Sequence, residues 1–411
     1  MIKRKKLLFV TNSLQKAGSE KYTFEIVKNI DKSLFDVEVL TTADVHINKK
    51  FPHIYYFELK KLGIKIHTNL YRPGEIQVDF MNRLPFKKIS NYILFRINRY
   101  RRSSLYHKRL NKLLNSFDAV ILVDALFFHH IKNNLNPDIH FETHLMCHQA
   151  QFNPDFKIYE AYDKNSTEYN FVYADEYQLK EIEAQEVRIK NTFGFPLSIN
   201  VHDLTPVDYH KIVEKKELNI GVFTRINRIK PIDKILEAFE ILKNLNSEVK
   251  LKIFGHIQDP DYHSELMEVI KNKGLIHHIS FEGHAENMLE SIKEKNVSLA
   301  WIVSIYEYVG YAATELCMNN IPIILDNIDG NNSIKPIDNE TSIPPYFYTP
   351  SALAKHTHYI LSNNKLEELQ QLETDQFLSN HDLEKNIRHY EQYLLEVLKK
   401  EEAKNPINYE C

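Results

Sequence analysis

The stretch Ile220-Gly-Val-Phe-Thr-Arg225-Ile-Asn-Arg-Ile-Lys230-Pro-Ile-Asp-Lys-Ile-Leu-Glu-Ala-Phe-Glu-Ile-Leu-Lys-Asn-Leu245 decides how the chain folds. It opens on a short apolar run, Ile220–Thr224, too brief for a helix and without the alternation of a half-exposed strand. Such a run suits a parallel strand buried on both faces. A loop carrying two cations follows. From Ile232 to Leu245 the apolar residues then recur at helical spacing, which predicts an amphipathic helix covering the strand.

The same alternation extends in both directions. Downstream, strands are expected at Lys250–Phe254, Ile279–Glu282, Val297–Val303 and Pro322–Leu325. Helices are expected at Tyr262–Lys273, Ala285–Lys295 and Ala312–Met318. Upstream, strand-like runs lie at Lys6–Thr11, Val37–Thr41, Ala119–Val123, Ile139–Thr143 and Phe171–Tyr173. Two such series predict an α/β chain of two Rossmann-like, doubly wound domains facing each other across a cleft. Ligands would bind at the C-terminal ends of the strands. The expected division is 1–200 for the first domain, 201–217 for a linker, 218–380 for the second domain and 381–411 for a terminal helix and tail. Leu383, Ile387, Tyr390, Leu394 and Leu398 repeat at helical spacing, so this helix has an apolar face able to pack back on the first domain.

A length of 411 residues suits two domains. Lys plus Arg number 52 against 55 Asp plus Glu, a balance that gives no global attraction to nucleic acid. Three widely spaced cysteines, Cys147, Cys317 and Cys411, argue against a disulfide framework and fit a reducing cytosol. The basic start, Met1-Ile-Lys-Arg-Lys-Lys, is followed by only four apolar residues, Leu7–Val10, fewer than the roughly 7–15 of a secretory segment. No run approaches the ~20 apolar residues of a membrane span.

The chemistry gathers in the second half. In Ser304-Ile-Tyr-Glu307-Tyr-Val-Gly310-Tyr311-Ala-Ala-Thr-Glu315 two carboxylates stand eight residues apart. Glu307 falls in the loop after a strand, where it can accept hydrogen bonds from sugar hydroxyls. Glu315 falls within the next helix, where it can reach a ribose. Gly310 and Tyr311 sit at that helix's N-terminus, where exposed amides favour an anion. Upstream, Arg225 and Lys230 are two cations at a strand end, a pair able to offset negative charge on a ligand.

These residues resemble the signatures of retaining GT-B glycosyltransferases of the glycogen-synthase-like and lipopolysaccharide-type families. Ser304, Glu307, Gly310 and Glu315 fill that family's E-x7-E motif. Gly221 through Arg225 and Lys230 to Asp233 resembles its Gly-x-x-x-Arg…Lys…Asp segment. Lys252-Ile-Phe-Gly255, Ile279-Ser-Phe-Glu-Gly283-His284 and Asn320-Ile-Pro322 resemble its later strands. The likeness runs from about Gly221 to Leu325. The chain departs from the pattern at Tyr308, Leu316 and Asn320, which bears on the donor's pose and the sugar's identity. The resemblance implies Glu307 on the donor sugar, Glu315 on the ribose, Gly255 and Gly283 near the nucleotide, and retention by a front-face route. It also implies a saccharide or lipid-linked acceptor held by the first domain, as in bacterial surface polysaccharide synthesis.

In the first half, Gly18 in Ala17-Gly18-Ser19-Glu20 resembles the family's Gly-Gly-Ala-Glu, which closes on the donor. His144 in Phe141-Glu-Thr-His144-Leu-Met-Cys-His148 resembles its strand-end histidine near the donor sugar, with His148 the competitor. No metal site or cofactor is expected. Asp259-Pro-Asp261 reads as loop punctuation. Residues 83–112 hold ten Lys or Arg and no acid, a stretch suited to an anionic membrane surface. The expected location is therefore the cytoplasm, with peripheral attachment to the inner face of the membrane. Two rival readings are a catalytically inactive GT-B-like partner of another transferase and a nucleotide-sugar epimerase.

Overall fold

The computed structural model describes residues 4–15, 18–42, 53–68, 105–146, 158–174, 176–215, 217–228, 230–285, 287–302, 310–325 and 349–404. Two parallel sheets organise them. The first has strands β1 (Lys5–Thr11), β2 (Phe35–Thr41), β3 (Lys65–His67), β4 (Ala119–Val123), β5 (His140–His144), β6 (Tyr169–Tyr173) and β7 (Ile189–Gly194), in the order β3-β2-β1-β4-β5-β6-β7. The second has β8 (Leu218–Phe223), β9 (Val249–Phe254), β10 (Ile279–Gly283), β11 (Val297–Ile302) and β12 (Ile323–Leu325), in the order β10-β9-β8-β11-β12.

Helices cover both sheets. In the first domain they are α1 (Gly18–Asn29), α2 (Ile54–Lys61), α3 (Leu105–Leu114), α4 (Phe128–Ile131) and α5 (Glu176–Ala184). Toward and within the second they are α6 (Tyr209–Val213), α7 (Ile232–Leu245), α8 (Pro260–Asn272), α9 (Met288–Lys295), α10 (Tyr311–Met318), α11 (Pro350–Ser362) and α12 (Leu366–Asn380). The chain ends on α13 (Leu383–Lys404).

Each sheet reverses its winding once. In the first the reversal lies between β1 and β4; in the second it lies between β8 and β11. Loops leaving two such neighbours diverge to opposite faces of the sheet and open a crevice at the strands' C-terminal ends. The same layout in both domains creates two crevices.

The domain crossings occupy few residues. Leu197 belongs to the first core, while Ile199 belongs to the second. On the way back, Phe377 is in the second core and Leu383 in the first. The two crossings run side by side: the Ile199 amide donates to the His381 carbonyl (3.1 Å) and the Leu383 amide to that of Ile199 (3.0 Å). The His381 ring bonds the Leu197 carbonyl at 2.7 Å. The segment expected to be a linker does more than connect, because Val207, Tyr209 and Ile212 are buried in the second core. The terminal helix does pack on the first domain through Leu383, Ile387, Tyr390, Leu394 and Leu398.

Candidate functional site at the sheet edges

The second crevice is built by close backbone approach. At Gly255, just past β9, an added Cβ would lie 1.7 Å from the Thr224 carbonyl oxygen and 3.5 Å from the Arg225 Cα. Only glycine lets the ends of β8 and β9 come together here. Two backbone bonds fasten them, Thr224 amide to Phe254 carbonyl (2.9 Å) and Ile226 amide to His256 carbonyl (3.0 Å), and a third, Gly255 amide to Gly283 carbonyl (2.7 Å), ties the end of β9 to β10. Gly283 has a φ of +80°, in the region where a side chain is strained. Both glycines thus shape the edge from which the loops after β8, β9 and β10 emerge.

Arg225 is exposed and lies two residues past the end of β8. Lys230 is buried, 7% exposed, just before α7. Its amide bonds the Asn227 carbonyl, and its own carbonyl accepts from the Ile232 amide at 2.8 Å. The neighbouring Arg228 is committed elsewhere: it pairs with Asp259 and Glu265 and lies over the Tyr262 ring. Asp259 is the N-cap of α8, accepting from the Tyr262 amide at 2.9 Å. Punctuation is therefore the role its contacts give it.

Across the reversal, Gly310 is the N-cap of α10 and offers no side chain to the first amides of the helix. Those amides are positively polarised groups of the kind that hold anions. Glu315 lies on α10 and forms an ion pair with Lys21 of α1, in the first domain. The Lys21 ammonium also sits 4.7 Å from the centre of the Tyr311 ring. Tyr311 packs against both cores. Arg225, Lys230, Gly310, Tyr311 and Glu315 thus share the C-terminal edge of one sheet. Ser304 and Glu307 lie outside the described residues, as do His148 and residues 83–104.

His144 is not a cleft residue. It is fully buried at the end of β5. Its Nδ1 hydrogen-bonds the Tyr22 hydroxyl (2.7 Å), and its Nε2 meets Glu142 (3.0 Å) and the Tyr390 hydroxyl (2.9 Å). Alternation along β5 puts His140, Glu142 and His144 on one face. Glu142 also accepts from His140 at 2.9 Å and from Tyr390. Burial pushes the Glu142 carboxyl up, but the hydrogen bonds and charge of His140 and His144 outweigh this and hold it well below the usual carboxylate range. The histidine expected on the donor instead fastens α1 and α13 to the sheet.

The first crevice contains groups that sequence reasoning passed over. Asp124, directly after β4, has φ +81° and ψ +114°, a strained backbone for a residue with a side chain. Its carboxylate accepts from the Leu126 amide at 3.0 Å. Burial pushes its pKa up to about 6, with the nearby charge of Glu20 adding to the effect. Glu20, in the first turn of α1, accepts from Ser13 (2.5 Å) and Ser19 (2.8 Å). Gly18 begins α1 with open space where a Cβ would stand. A carboxyl at the end of a strand was visible in sequence; its φ was not.

Comparison with known proteins agrees with this fold. Residues 209–374 match the family described as Glycosyl transferases group 1. No curated protein matches the chain by sequence. Among solved structures, Alr3699/HepE of Anabaena in complex with UDP is 12% identical with a TM-score of 0.68, covering 95% of this chain and 100% of its own. A glycosyltransferase from Rickettsia africae is 17% identical, TM-score 0.64, covering 98% and 99%. The lipopolysaccharide outer core galactosyltransferase WaaB is 13% identical, TM-score 0.63, covering 95% and 99%. The chain has the GT-B fold, and residues 209–374 within it are similar to the group 1 glycosyl transferases.

Proposed function

We propose that this protein is a retaining, metal-independent glycosyltransferase that moves a hexose from a nucleotide sugar to a saccharide or lipid-linked acceptor. The observation carrying the reading is the grouping of Arg225, Lys230 and the uncapped start of α10 around the reversal of the second sheet. In transfer the bond from the sugar's anomeric carbon to the diphosphate oxygen breaks, and negative charge grows on the diphosphate. Fixed cations and amides aimed at that charge stabilise the transition state more than the ground state. The acceptor hydroxyl attacks from the face the diphosphate leaves, and its proton passes to a departing phosphate oxygen. This route retains configuration and needs no side-chain nucleophile. Glu315 on α10 receives the ribose and Glu307 the sugar hydroxyls.

The acceptor belongs to the first crevice, where Asp124 and Glu20 offer carboxylate oxygens to hydroxyl donors. HepE binds UDP and WaaB is a lipopolysaccharide galactosyltransferase. Those likenesses favour a uridine nucleotide and a surface polysaccharide. The membrane side of the reading rests on the basic stretch 83–112. Its described end, α3, exposes Lys108, Arg109 and Lys112. No helix among the described residues is long and apolar enough to cross a membrane.

The test is a binding screen with UDP, GDP, ADP and CMP, followed by transfer assays with sugars of the nucleotide that binds. One nucleotide should raise the melting midpoint by mass action. Arg225→Ala should lower turnover by about two to three orders of magnitude without altering the melt. Near wild-type transfer by that variant would remove the phosphate-site assignment. Activity lost to EDTA and restored by Mn²⁺ would remove metal independence.

A further inference from the structure

The ion pair between Lys21 and Glu315 has a consequence for donor binding. We propose that Lys21 is a gating residue for the nucleotide: its ammonium holds Glu315 from the opposite domain, and ribose hydroxyls must compete with it for the carboxylate. The inference rests on the assignment of Glu315 to the ribose and extends it to a residue of the other domain.

Three observations support it. First, the pair joins α1 of the first domain to α10 of the second, 294 residues apart in sequence. Lys21 is therefore in a position to sense whether the donor-side carboxylate is occupied. Second, both side chains are partly open, 22% exposed for Lys21 and 31% for Glu315. A ligand can reach the carboxylate without unfolding anything, and the pair is of the modest strength typical of solvated ions. Third, Lys21 has somewhere else to go. Glu25 stands one turn along the same helix, and the charge of Lys21 already acts on it. An i,i+4 partner of opposite charge is a natural second seat for the ammonium. The Tyr311 ring under the ammonium would keep it near the site in either position.

A ligand that must displace an intramolecular partner binds more weakly by the fraction of time the partner is absent. For a pair of this exposure, removing the partner should strengthen nucleotide binding about two- to fivefold. The gain should shrink in high salt, where the pair is already screened. A merely structural contact would not produce this signature, because its loss leaves binding unchanged or weaker.

The experiment is calorimetric titration of the full chain with UDP, GDP and ADP. It uses wild type, Lys21→Met, Glu315→Gln and the double variant, each at low and at high salt. Expected are tighter binding by Lys21→Met, weaker binding by Glu315→Gln, and no further gain when Lys21→Met is placed on Glu315→Gln. If Glu315→Gln weakens binding but Lys21→Met weakens it or leaves it unchanged, the gate is overturned and the ribose assignment stands. Weakening by Lys21→Met would instead make Lys21 a ligand of the diphosphate. If Glu315→Gln binds as wild type does, the ribose assignment itself fails. Absence of binding by both wild type and Lys21→Met overturns both.

Discussion

Replacing Gly255 with alanine tests the physical link between the fold and the crevice of the second sheet. The new Cβ would stand 1.7 Å from the Thr224 carbonyl oxygen and 2.7 Å from its carbon. A carbon–oxygen contact needs about 3.3 Å, so the two strand ends must part by roughly 1.6 Å. Both neighbours are backbone, and no side chain can rotate to make room. The bonds at risk are Thr224 to Phe254 and Ile226 to His256. Two such bonds contribute about 0.5–1.5 kcal/mol each, and forced overpacking costs about 1–3 kcal/mol. The sum is about 4 kcal/mol. At roughly 2–4 °C per kcal/mol for a domain of 150–250 residues, the melting midpoint of the second domain should fall by about 8–16 °C. Arg225 lies two residues past the end of β8, and a displacement near 1 Å at a reacting site costs about a hundredfold in rate. Calorimetric melting and a transfer assay read the two effects. A Gly255→Ala protein that melts within 2 °C of wild type and transfers normally would refute the close-approach argument. It would also detach Arg225's position from the β8–β9 junction.

Other substitutions probe the remaining sites. Glu142→Gln leaves buried partners unpaired and should cost about 3–5 kcal/mol, read as a lower urea midpoint. Because the Glu142 carboxyl is held below its ordinary value, its contribution is present above the unfolded pKa and is lost as pH falls through the folded one. The variant should accordingly show a flatter acid limb. Asp124 has the opposite sign: its folded pKa is raised to about 6, so its contribution is full below the unfolded value near 4 and is lost as pH rises past 6. Asp124→Asn tolerates the positive φ and keeps an acceptor for Leu126, so it should gain melting temperature over wild type at pH 8 but not at pH 4. Lys230→Ala should lower both stability and turnover, since Lys230 is buried. Arg225→Ala should lower turnover alone, and equal melts for the two would contradict this difference.

The strands that sequence made legible are those with apolar runs, most of them mainly buried as β4 and β11 are, with the half-open edge strand β10 the exception. β3 and β7 escaped it. Lys65-Ile-His67 and Ile189-Lys-Asn-Thr-Phe-Gly194 lie at the two edges of the first sheet, half open and polar. α7 matched its expected bounds because apolar spacing and a proline both mark its start. The cations were expected from the β8–α7 unit and Glu315 from the β11–α10 unit, each by local spacing. His144 was misplaced for the opposite reason: its partners Tyr22 and Tyr390 are 122 and 246 residues away. A histidine at a strand end looks the same in sequence whether it faces a cleft or a helix. The Lys21–Glu315 pair left no local trace either, because it depends on how the domains meet.

The paired crossings make one more outcome testable. The chain enters the second domain at 197–199 and leaves it at 381–383, so the first domain is not one continuous segment. Its core is completed by Leu383, Ile387, Tyr390, Leu394 and Leu398 of α13. At about 1.5–3 kcal/mol for each buried side chain, the five contribute on the order of 10 kcal/mol, comparable to the about 5–15 kcal/mol that holds an ordinary domain together. Truncation after residue 380 would also remove Tyr390 from Glu142 and His144, leaving buried polar groups short of a partner. The shortened chain should therefore lose the cooperative melt of its first domain, while the second domain, whose core ends at Phe377, keeps its own transition. A truncated chain that retained both transitions would show that α13 is an appendage and not a wall of the first domain.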